Sequence, residues 1–219
     1  KGVVIVTAPV TTLIVIRHGE TVWNHAMRFQ GHGDSPLTEH GRSQAHALGK
    51  RLQGMAIDTL ISSDLGRTRE TAAIIAQYTG HTVHADRRLR ERHYGVLEGL
   101  NAKEIQEQHP GVYQELITEN PDYVIPEGQT HRQHYHQNIE VLNEWAGGTP
   151  GTTAALVAHG GVLDNFFRHV AHLDLRHPRC VLPANASISI IQHGTFYGSL
   201  RWVIKTWGDA AHLETLETH

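Results

Sequence analysis

The sequence predicts an α/β fold, a three-layer sandwich whose mostly parallel central sheet carries helices on both faces. Short apolar runs, the pattern of strands buried on both faces, alternate along the chain with amphipathic helical segments. No repeat, low-complexity segment or obvious linker interrupts this alternation. Because 219 residues are enough for one sizeable core, we expect a single domain over residues 1–219.

The first part of the chain gives three strands and two helices. The predicted strands are Leu13–Ile16, Thr59–Ser63 and His81–Ala85. Thr38 is placed to cap a helix that continues to Gly54. Asp64 or a neighbouring serine would cap the next helix, which runs to about Tyr78 and is closed by Gly80.

The second part gives three more strands and three helical regions. The predicted strands are Thr153–Ala158, Ala186–Gln192 and Ser199–Thr206. The region Leu100–Asp122 has a helical pattern that Pro110 and Pro121 interrupt. The helices Gln129–Trp145 and Gly161–Leu173 are more regular, since their apolar residues recur at helical spacing.

Composition and charge limit the functional classes. The net charge of −3 gives no electrostatic reason to expect nucleic acid or an anionic membrane as a partner. Cys180 is the single cysteine, so no intramolecular disulfide can form, which fits a cytoplasmic protein. The 19 histidines are scattered and do not indicate a metal site. The apolar start Lys1–Ile16 is too short to span a bilayer and runs into the first strand, so we do not interpret it as a signal peptide.

Polar side chains follow three predicted strands at their carboxyl ends. Arg17 and His18 follow the first strand, Arg67 lies on the helix after the second, and His159 and Gly160 follow the strand that ends at residue 158. The carboxyl ends of parallel strands meet at one edge of a sheet. Two arginines, two histidines and a helix N-terminus at one edge are suited to a phosphate group. The sequence therefore predicts a phosphate pocket there.

Four segments resemble, in the same order, the signature motifs of the histidine phosphatase superfamily, which includes the cofactor-dependent phosphoglycerate mutases. They are Arg17–Asn24 (RHGETVWN), Ser62–Thr71 (SSDLGRTRET), Leu89–Gly95 (LRERHYG) and His159–Gly161 (HGG). The resemblance implies a phosphoglycerate mutase-like fold, with a cap-like insertion at about residues 100–130. It also implies chemistry that needs neither a cofactor nor a metal.

The resemblance assigns roles to individual residues. His18, on the loop after the first strand, would be the nucleophile that becomes phosphohistidine. Arg17 and Arg67 would bind the phosphoryl oxygens, and His159 would hydrogen-bond the same group. Glu91 would be the general acid, and a nearby phosphate dianion should raise its pKa and keep it protonated. The further expected phosphate contacts are Asn24, Gln30 and Gly160.

The resemblance leaves two enzyme classes open. Tyr94 and the segment Gly99–Asn101 are similar to the mutase branch. The mutases, however, have a longer insert with a paired arginine that binds the substrate carboxylate. Between Glu91 and His159 this chain has only two arginines, Arg92 and Arg132, and they are not adjacent. The fourth motif also ends in glycine where the mutases carry asparagine.

Two further departures bear on specificity. At the position where the mutases carry a lysine this chain has Ala102, and Lys103 comes one residue later. The segment Glu127–Thr130 (EGQT) lacks the glutamate that many phosphatase relatives carry there.

We therefore expect a phosphomonoester hydrolase for small phosphorylated metabolites that works through phosphohistidine. The alternative is a 2,3-bisphosphoglycerate-dependent phosphoglycerate mutase, and an inactive phosphate-binding scaffold is disfavoured by the intact His18 and Glu91. The expected partner is a small phosphorylated substrate, with no nucleic acid and no membrane, and a homo-oligomer stays open.

Overall fold

The computed structural model describes residues 9–148 and 150–216, so part of the apolar start of the chain lies outside the described residues. Six strands in this part form one sheet in the order β3-β2-β4-β1-β5-β6. They are β1 (Thr11–Arg17), β2 (Thr59–Ser62), β3 (Val83–Ala85), β4 (Thr153–Ala158), β5 (Ile188–Phe196) and β6 (Ser199–Asp209). Strands β3, β2, β4 and β1 pair in parallel, whereas β5 runs antiparallel to β1 and β6 antiparallel to β5. The predicted mostly parallel sheet is confirmed.

Helices cover both faces of this sheet. They are α1 (Val22–His25), α2 (Glu39–Leu52), α3 (Gly66–Thr79), α4 (Ala102–Gln108), α5 (Pro110–Ile117), α6 (His131–Gly147) and α7 (Gly160–Ala171). Successive residues of β1 point to opposite faces, so Leu13 packs in one apolar cluster with Phe166 of α7, and Ile14 packs in the other with Leu48 of α2. The sheet thus lies between two apolar layers, and the predicted three-layer sandwich is confirmed.

One predicted helix cap is wrong. Helix α3 begins after Leu65, which makes no side-chain capping bond, and neither Asp64 nor a neighbouring serine caps it. Asp64 instead accepts two hydrogen bonds from the guanidinium of Arg90, at 2.6 and 2.7 Å. A bidentate pair with arginine is stronger than a single bond to a backbone N–H, so the arginine takes the carboxylate.

The last two strands end later than the sequence predicted, at Phe196 and Asp209, and β5 begins two residues later, at Ile188. Strands β5 and β6 form a hairpin whose two turn residues, Tyr197 and Gly198, have φ values of 50° and 80°. A two-residue turn with positive φ at both positions matches the right-handed twist of the flanking strands. The pairing on the β5 side therefore continues to Phe196, four residues past the predicted end at Gln192.

Residues around 95–130 form a separate layer with its own apolar cluster. Leu97, Ile105 and Ile125 are buried there, and partly buried side chains of α5, among them Tyr113 and Leu116, pack against them. Pro110 is the first residue of α5, where a proline is tolerated, so the predicted interruption separates α4 from α5. Among the described helices, none is long and apolar enough to cross a membrane.

Candidate active site

The carboxyl ends of β1, β2 and β4 lie side by side and carry the first, second and fourth motifs. Beyond the strand ends, the His18 N–H donates to the Ala158 carbonyl at 3.0 Å, and the Ser63 N–H donates to the Val157 carbonyl at 2.9 Å. These bonds extend the sheet by one step and bring the imidazoles of His18 and His159 into edge contact, with ring centroids 5.3 Å apart. A cavity of about 290 Å³ opens at this edge.

His18 is held in one tautomer. Its Nδ1 lies 2.7 Å from the carbonyl oxygen of Gly19, which can only accept, so Nδ1 carries the hydrogen and Nε2 carries the lone pair. Burial, together with the guanidiniums of Arg67 and Arg17, lowers the pKa of His18 well below its usual value. His18 lies on the loop after β1, as predicted, but its side chain is buried, with only 3% of the residue exposed. A neutral, oriented imidazole therefore faces the cavity.

Two guanidiniums flank this imidazole and are held by backbone carbonyls. Arg67 donates to Gly33 at 3.0 Å and to Gly31 at 2.8 Å, and Arg17 donates to Pro183 at 2.8 Å. Burial lowers the pKa of Arg17 to about 10, so its guanidinium stays charged at neutral pH. Arg67 is also buried, with a pKa that burial lowers from its usual value.

Three buried nitrogens around His18 have no hydrogen-bond partner among the described residues. They are Arg17 Nε, Arg67 Nε and His159 Nδ1. The other ring nitrogen of His159, Nε2, lies 2.9 Å from the hydroxyl of Ser63. Buried polar groups without a partner are rare in folded proteins and call for an explanation, such as a bound ligand. An anion at His18 would supply the missing acceptors.

The remaining expected phosphate contacts, Asn24, Gln30 and Gly160, also line this cavity. Thr21 holds the first two, because its hydroxyl lies 3.1 Å from Asn24 Oδ1 and 3.0 Å from Gln30 Oε1. The sequence did not indicate Asn185, whose side-chain amide donates to the His18 carbonyl at 3.0 Å and to Asn24 Oδ1 at 3.2 Å.

Glu91 lies at the cavity wall, against the start of α7. Its carboxylate accepts hydrogen bonds from the backbone N–H groups of Gly161 and Arg92, each at 2.9 Å. Burial alone would raise the pKa of Glu91, but the imidazole of His134 and these two N–H groups outweigh it and hold the pKa below its usual value. The rise in the pKa of Glu91 that the sequence analysis expects depends on a nearby phosphate dianion, so it stays a prediction.

His134 and its neighbours form a buried network behind Glu91. His134 Nε2 donates to the Arg90 carbonyl at 3.0 Å, and the Asn165 amide donates to His134 Nδ1 at 3.1 Å. A ring that donates at one nitrogen and accepts at the other is neutral. Burial accordingly lowers the pKa of His134 to about 4. Sequence analysis did not indicate this network, since His134 and Asn165 belong to two different helices and Arg90 to a loop.

A second cavity, of about 180 Å³, adjoins the first. The two cavities share the lining residues Glu91, Tyr94, Gly161 and Arg179. Arg179 follows α7 on an irregular segment and donates to the Gly160 carbonyl at 2.8 Å. Sequence reasoning missed Arg179 because no periodic pattern surrounds it. Within residues 9–148 and 150–216, no group of three or more His, Cys, Asp or Glu side chains is placed to hold a metal ion.

Comparisons with known proteins agree with this geometry. A sequence profile of the histidine phosphatase superfamily (branch 1) matches residues 13–210. A protein of Klebsiella pneumoniae subsp. pneumoniae named probable phosphoglycerate mutase GpmB is 38% identical over 202 residues, covering 91% of this chain and 94% of that protein. Among solved structures, Bacillus stearothermophilus YhfR has a TM-score of 0.83 and 32% identity, covering 93% of this chain and 100% of that one. A mycobacterial glucosyl-3-phosphoglycerate phosphatase, solved with VO3, has a TM-score of 0.78 and 30% identity, covering 91% and 99%.

Proposed function

The chain belongs to the histidine phosphatase superfamily, and from that premise we propose that it is a phosphomonoester hydrolase that acts on small phosphorylated metabolites through phosphohistidine. The observation that carries the proposal is the set of three unpartnered buried nitrogens around the neutral, oriented imidazole of His18. A phosphoryl group there would accept from all three donors and present its phosphorus to His18 Nε2. VO3, a phosphate-like oxyanion, binds the mycobacterial phosphatase that shares this fold.

The first chemical step transfers the phosphoryl group to His18. Nε2 attacks phosphorus with its lone pair, the bond from phosphorus to the ester oxygen breaks, and that oxygen takes a proton from Glu91, which has received it from the substrate monoanion. Arg17 and Arg67 bind the charge that spreads over the phosphoryl oxygens. In the tautomer that suits this step, the Ser63 hydroxyl would donate to His159 Nε2, which would leave the hydrogen on Nδ1 to bond a phosphoryl oxygen.

The second step returns the enzyme to its starting state. Glu91, now a carboxylate, takes a proton from a water molecule that attacks the phosphorus of phosphohistidine. The bond from phosphorus to His18 Nε2 breaks, and inorganic phosphate leaves. Gly161 and Arg92 hold the Glu91 carboxylate through both steps, so the same group can donate a proton first and accept one later.

Hydrolysis is favoured over phosphoglycerate mutation by the position of the cap cations. Arg132 pairs with Asp122 at 2.6 Å on the surface, and the exposed Lys103 lies 3.9 Å from Glu107. Neither cation is among the residues that line the two cavities, so of the two arginines between Glu91 and His159 only Arg92 lines one, and it has no arginine beside it. A mutase must hold a carboxylate in two orientations, which calls for dedicated cations above the phosphate. The name of the Klebsiella relative, and the resemblance of Tyr94 and its neighbours to the mutase branch, keep the mutase as the second candidate.

One assay separates the two candidates. Purified protein is given 3-phosphoglycerate, with and without a 2,3-bisphosphoglycerate primer, and inorganic phosphate and 2-phosphoglycerate are both measured. We expect phosphate release from several small esters and little formation of 2-phosphoglycerate. Isomerisation that exceeds hydrolysis and responds to the primer would overturn the hydrolase, although His18 would keep its place as nucleophile.

A further inference from the structure

We propose that the second cavity is the site of the leaving group and that it selects alcohols rich in hydroxyl groups and free of carboxylates. The inference rests on the proposed hydrolase and adds a substrate class to it. The two cavities meet at Glu91, the residue that would protonate the ester oxygen. An ester whose phosphoryl group lies at His18 and whose oxygen lies at Glu91 would extend its carbon skeleton into the second cavity. Its volume of about 180 Å³ admits a small molecule.

Asp164 gives the clearest sign of the ligand. This residue is 5% exposed, and its Oδ2 accepts from Arg168 Nε at 2.8 Å. Its Oδ1 is buried and has no hydrogen-bond partner in the part of the chain that the structure describes. Arg179 Nε lies 3.7 Å from Oδ1, beyond hydrogen-bond distance. An unsatisfied carboxylate oxygen in the wall of a cavity calls for a donor from a ligand.

Donors line the same cavity. The Arg92 guanidinium donates to the Gln129 carbonyl at 3.0 Å and lies 3.4 Å from the Tyr123 carbonyl oxygen. Burial lowers the pKa of Arg92 from its usual value. Its remaining N–H groups can donate to a ligand, as can those of Arg179. A hydroxyl group both donates and accepts, so it can satisfy Asp164 and a guanidinium together. A carboxylate offers only acceptors and would leave Asp164 Oδ1 unsatisfied.

The charges at the cavity reinforce this selection. Its lining contains the carboxylates Glu91, Glu115, Glu119 and Asp164 and the guanidiniums Arg92, Arg168 and Arg179. Arg168 is not free to bind a ligand, since it donates to Asp164 and to the carbonyls of Asp174 and His177. Glu115 and Glu119 are exposed at the rim, beside Leu116. The lining thus has four negative and three positive side chains, and a carboxylate on the leaving group would meet repulsion from Glu115 and Glu119 that a neutral polyol would not, whereas Arg92 and Arg179 can donate to either.

Three primary alkyl esters of the same carbon number test the selection. They are glycerol 3-phosphate, 3-phosphoglycerate, in which a carboxylate replaces a hydroxymethyl group, and n-propyl phosphate, which lacks the hydroxyls. We expect kcat/KM for glycerol 3-phosphate to exceed each of the others by about tenfold or more, as expected when a buried polar group gains or loses its partner. Hydrolysis of p-nitrophenyl phosphate is measured in parallel.

Variants assign the selection to the cavity. Glu115→Gln/Glu119→Gln should raise the ratio of 3-phosphoglycerate to glycerol 3-phosphate turnover at least about threefold. Asp164→Asn should reduce the preference for glycerol 3-phosphate over n-propyl phosphate at least about fivefold. The control Glu107→Gln changes an exposed glutamate on α4 that lines neither cavity, and both ratios should stay as in the wild type. If Asp164→Asn unfolds, the double variant alone decides the inference.

The outcomes are distinguishable. Equal turnover of the three esters beside active hydrolysis of p-nitrophenyl phosphate would overturn the inference and leave the hydrolase standing. Preference for n-propyl phosphate would also overturn it, and would place the leaving group against the exposed Met27 and Leu182 at the first cavity. Ratios that shift as much in Glu107→Gln as in the cavity variants would do the same. No phosphate release from any ester, p-nitrophenyl phosphate included, would overturn the hydrolase and the inference together.

Discussion

The backbone N–H of Gly161 donates to the Glu91 carboxylate at 2.9 Å, and a Cβ atom at Gly161 would overlap Glu91 Oε1. A side chain at residue 161 and the present position of Glu91 therefore exclude each other. The asparagine that the mutases carry at this point of the fourth motif would require Glu91 to lie elsewhere. The last glycine of the HGG motif thus fixes the position of the group that would transfer the proton.

Replacement of Gly161 by alanine should displace Glu91 without removing it. We expect kcat for glycerol 3-phosphate to fall by about tenfold to 100-fold, a part of what general acid catalysis contributes. Hydrolysis of p-nitrophenyl phosphate, whose leaving group needs little protonation, should fall less than about threefold. Gly111→Ala is the matched control, because a Cβ there meets no atom within 4 Å. Equal losses for the two substrates in Gly161→Ala would contradict this role of the glycine.

The pH dependence should report how Glu91 obtains its proton. His134 and two backbone N–H groups outweigh burial and hold the pKa of Glu91 below its usual value, so the free enzyme carries a carboxylate at neutral pH. The proton must then arrive on the substrate monoanion, whose second pKa is about 6. We expect kcat/KM for glycerol 3-phosphate to fall about tenfold per pH unit above about pH 7, and that for p-nitrophenyl phosphate to fall less.

Glu91→Gln provides the check on this reading of the pH profile. It should slow glycerol 3-phosphate about 100-fold or more, remove the fall at high pH and slow p-nitrophenyl phosphate less than about tenfold. A glycerol 3-phosphate profile that keeps its fall at high pH in Glu91→Gln would show that the substrate's proton reaches the ester oxygen without passing through Glu91.

The fold was predictable where a local pattern is enough to define an element. The strand Thr153–Ala158 has the bounds that its apolar run predicts, and Thr38 caps α2 through a bond to the Gly41 N–H at 2.9 Å. The strand ends then bring Arg17 and His18 to one cavity, with the His159 ring against that of His18, because parallel neighbours share an edge.

Contacts between distant segments could not be predicted in this way. Asn185 and Arg179 lie on an irregular segment that is hydrogen-bonded to the end of β1 and the start of α7, so no periodicity marked them. The lowered pKa of Glu91 depends on His134, which lies on another element. The missed cap at Asp64 has the same origin, since Arg90 competes for its carboxylate from a different part of the chain.

Stability should decline in mild acid. Burial lowers the pKa of His134 to about 4, and lowers those of His18 and His159 in the same direction. Because these values lie below the unfolded value near 6.5, the unfolded chain binds protons first as pH falls, and stability is lost between about pH 6.5 and pH 4. The lowered pKa of Glu91 reduces stability only as pH falls through the usual carboxyl pKa of about 4.5 and below it, outside the interval from pH 7 to pH 5. We expect the Tm to fall by roughly 5 °C or more between pH 7 and pH 5.

His134→Gln tests the contribution of one ring. The variant should lose less Tm over this pH interval than the wild type, even if its Tm at pH 7 is lower, because one neutral buried imidazole is gone. The control His136→Gln changes an exposed histidine two residues along the same helix, and its loss of Tm over this interval should match that of the wild type. An identical pH slope in His134→Gln and wild type would show that this ring does not titrate in the interval.

Activity should not depend on a divalent metal. Arg17 stays charged with a pKa of about 10, and Arg67 adds a second guanidinium beside His18, so the side chains themselves offset the phosphoryl charge. After exhaustive dialysis against EDTA, turnover of p-nitrophenyl phosphate should match that of the untreated protein. Loss of activity that Mg²⁺ or Zn²⁺ restores would contradict the proposed pocket and would point to ligands among the histidines.

The covalent intermediate should form on His18. Its Nε2 carries the lone pair because Nδ1 donates to the Gly19 carbonyl, so brief incubation with a ³²P-labelled ester should leave an acid-labile, base-stable phosphate on this residue. His18→Ala should abolish both label and turnover, and the exposed His25→Ala should retain both. Since His18 is only 3% exposed, His18→Gln is made as well, and circular dichroism and the Tm of each variant establish that the fold persists.

His159→Gln should slow labelling while the label stays on His18, because His159 is expected to hydrogen-bond the phosphoryl group without forming a covalent bond to it. A label that maps to a serine, an aspartate or Cys180 would replace this mechanism with another nucleophile.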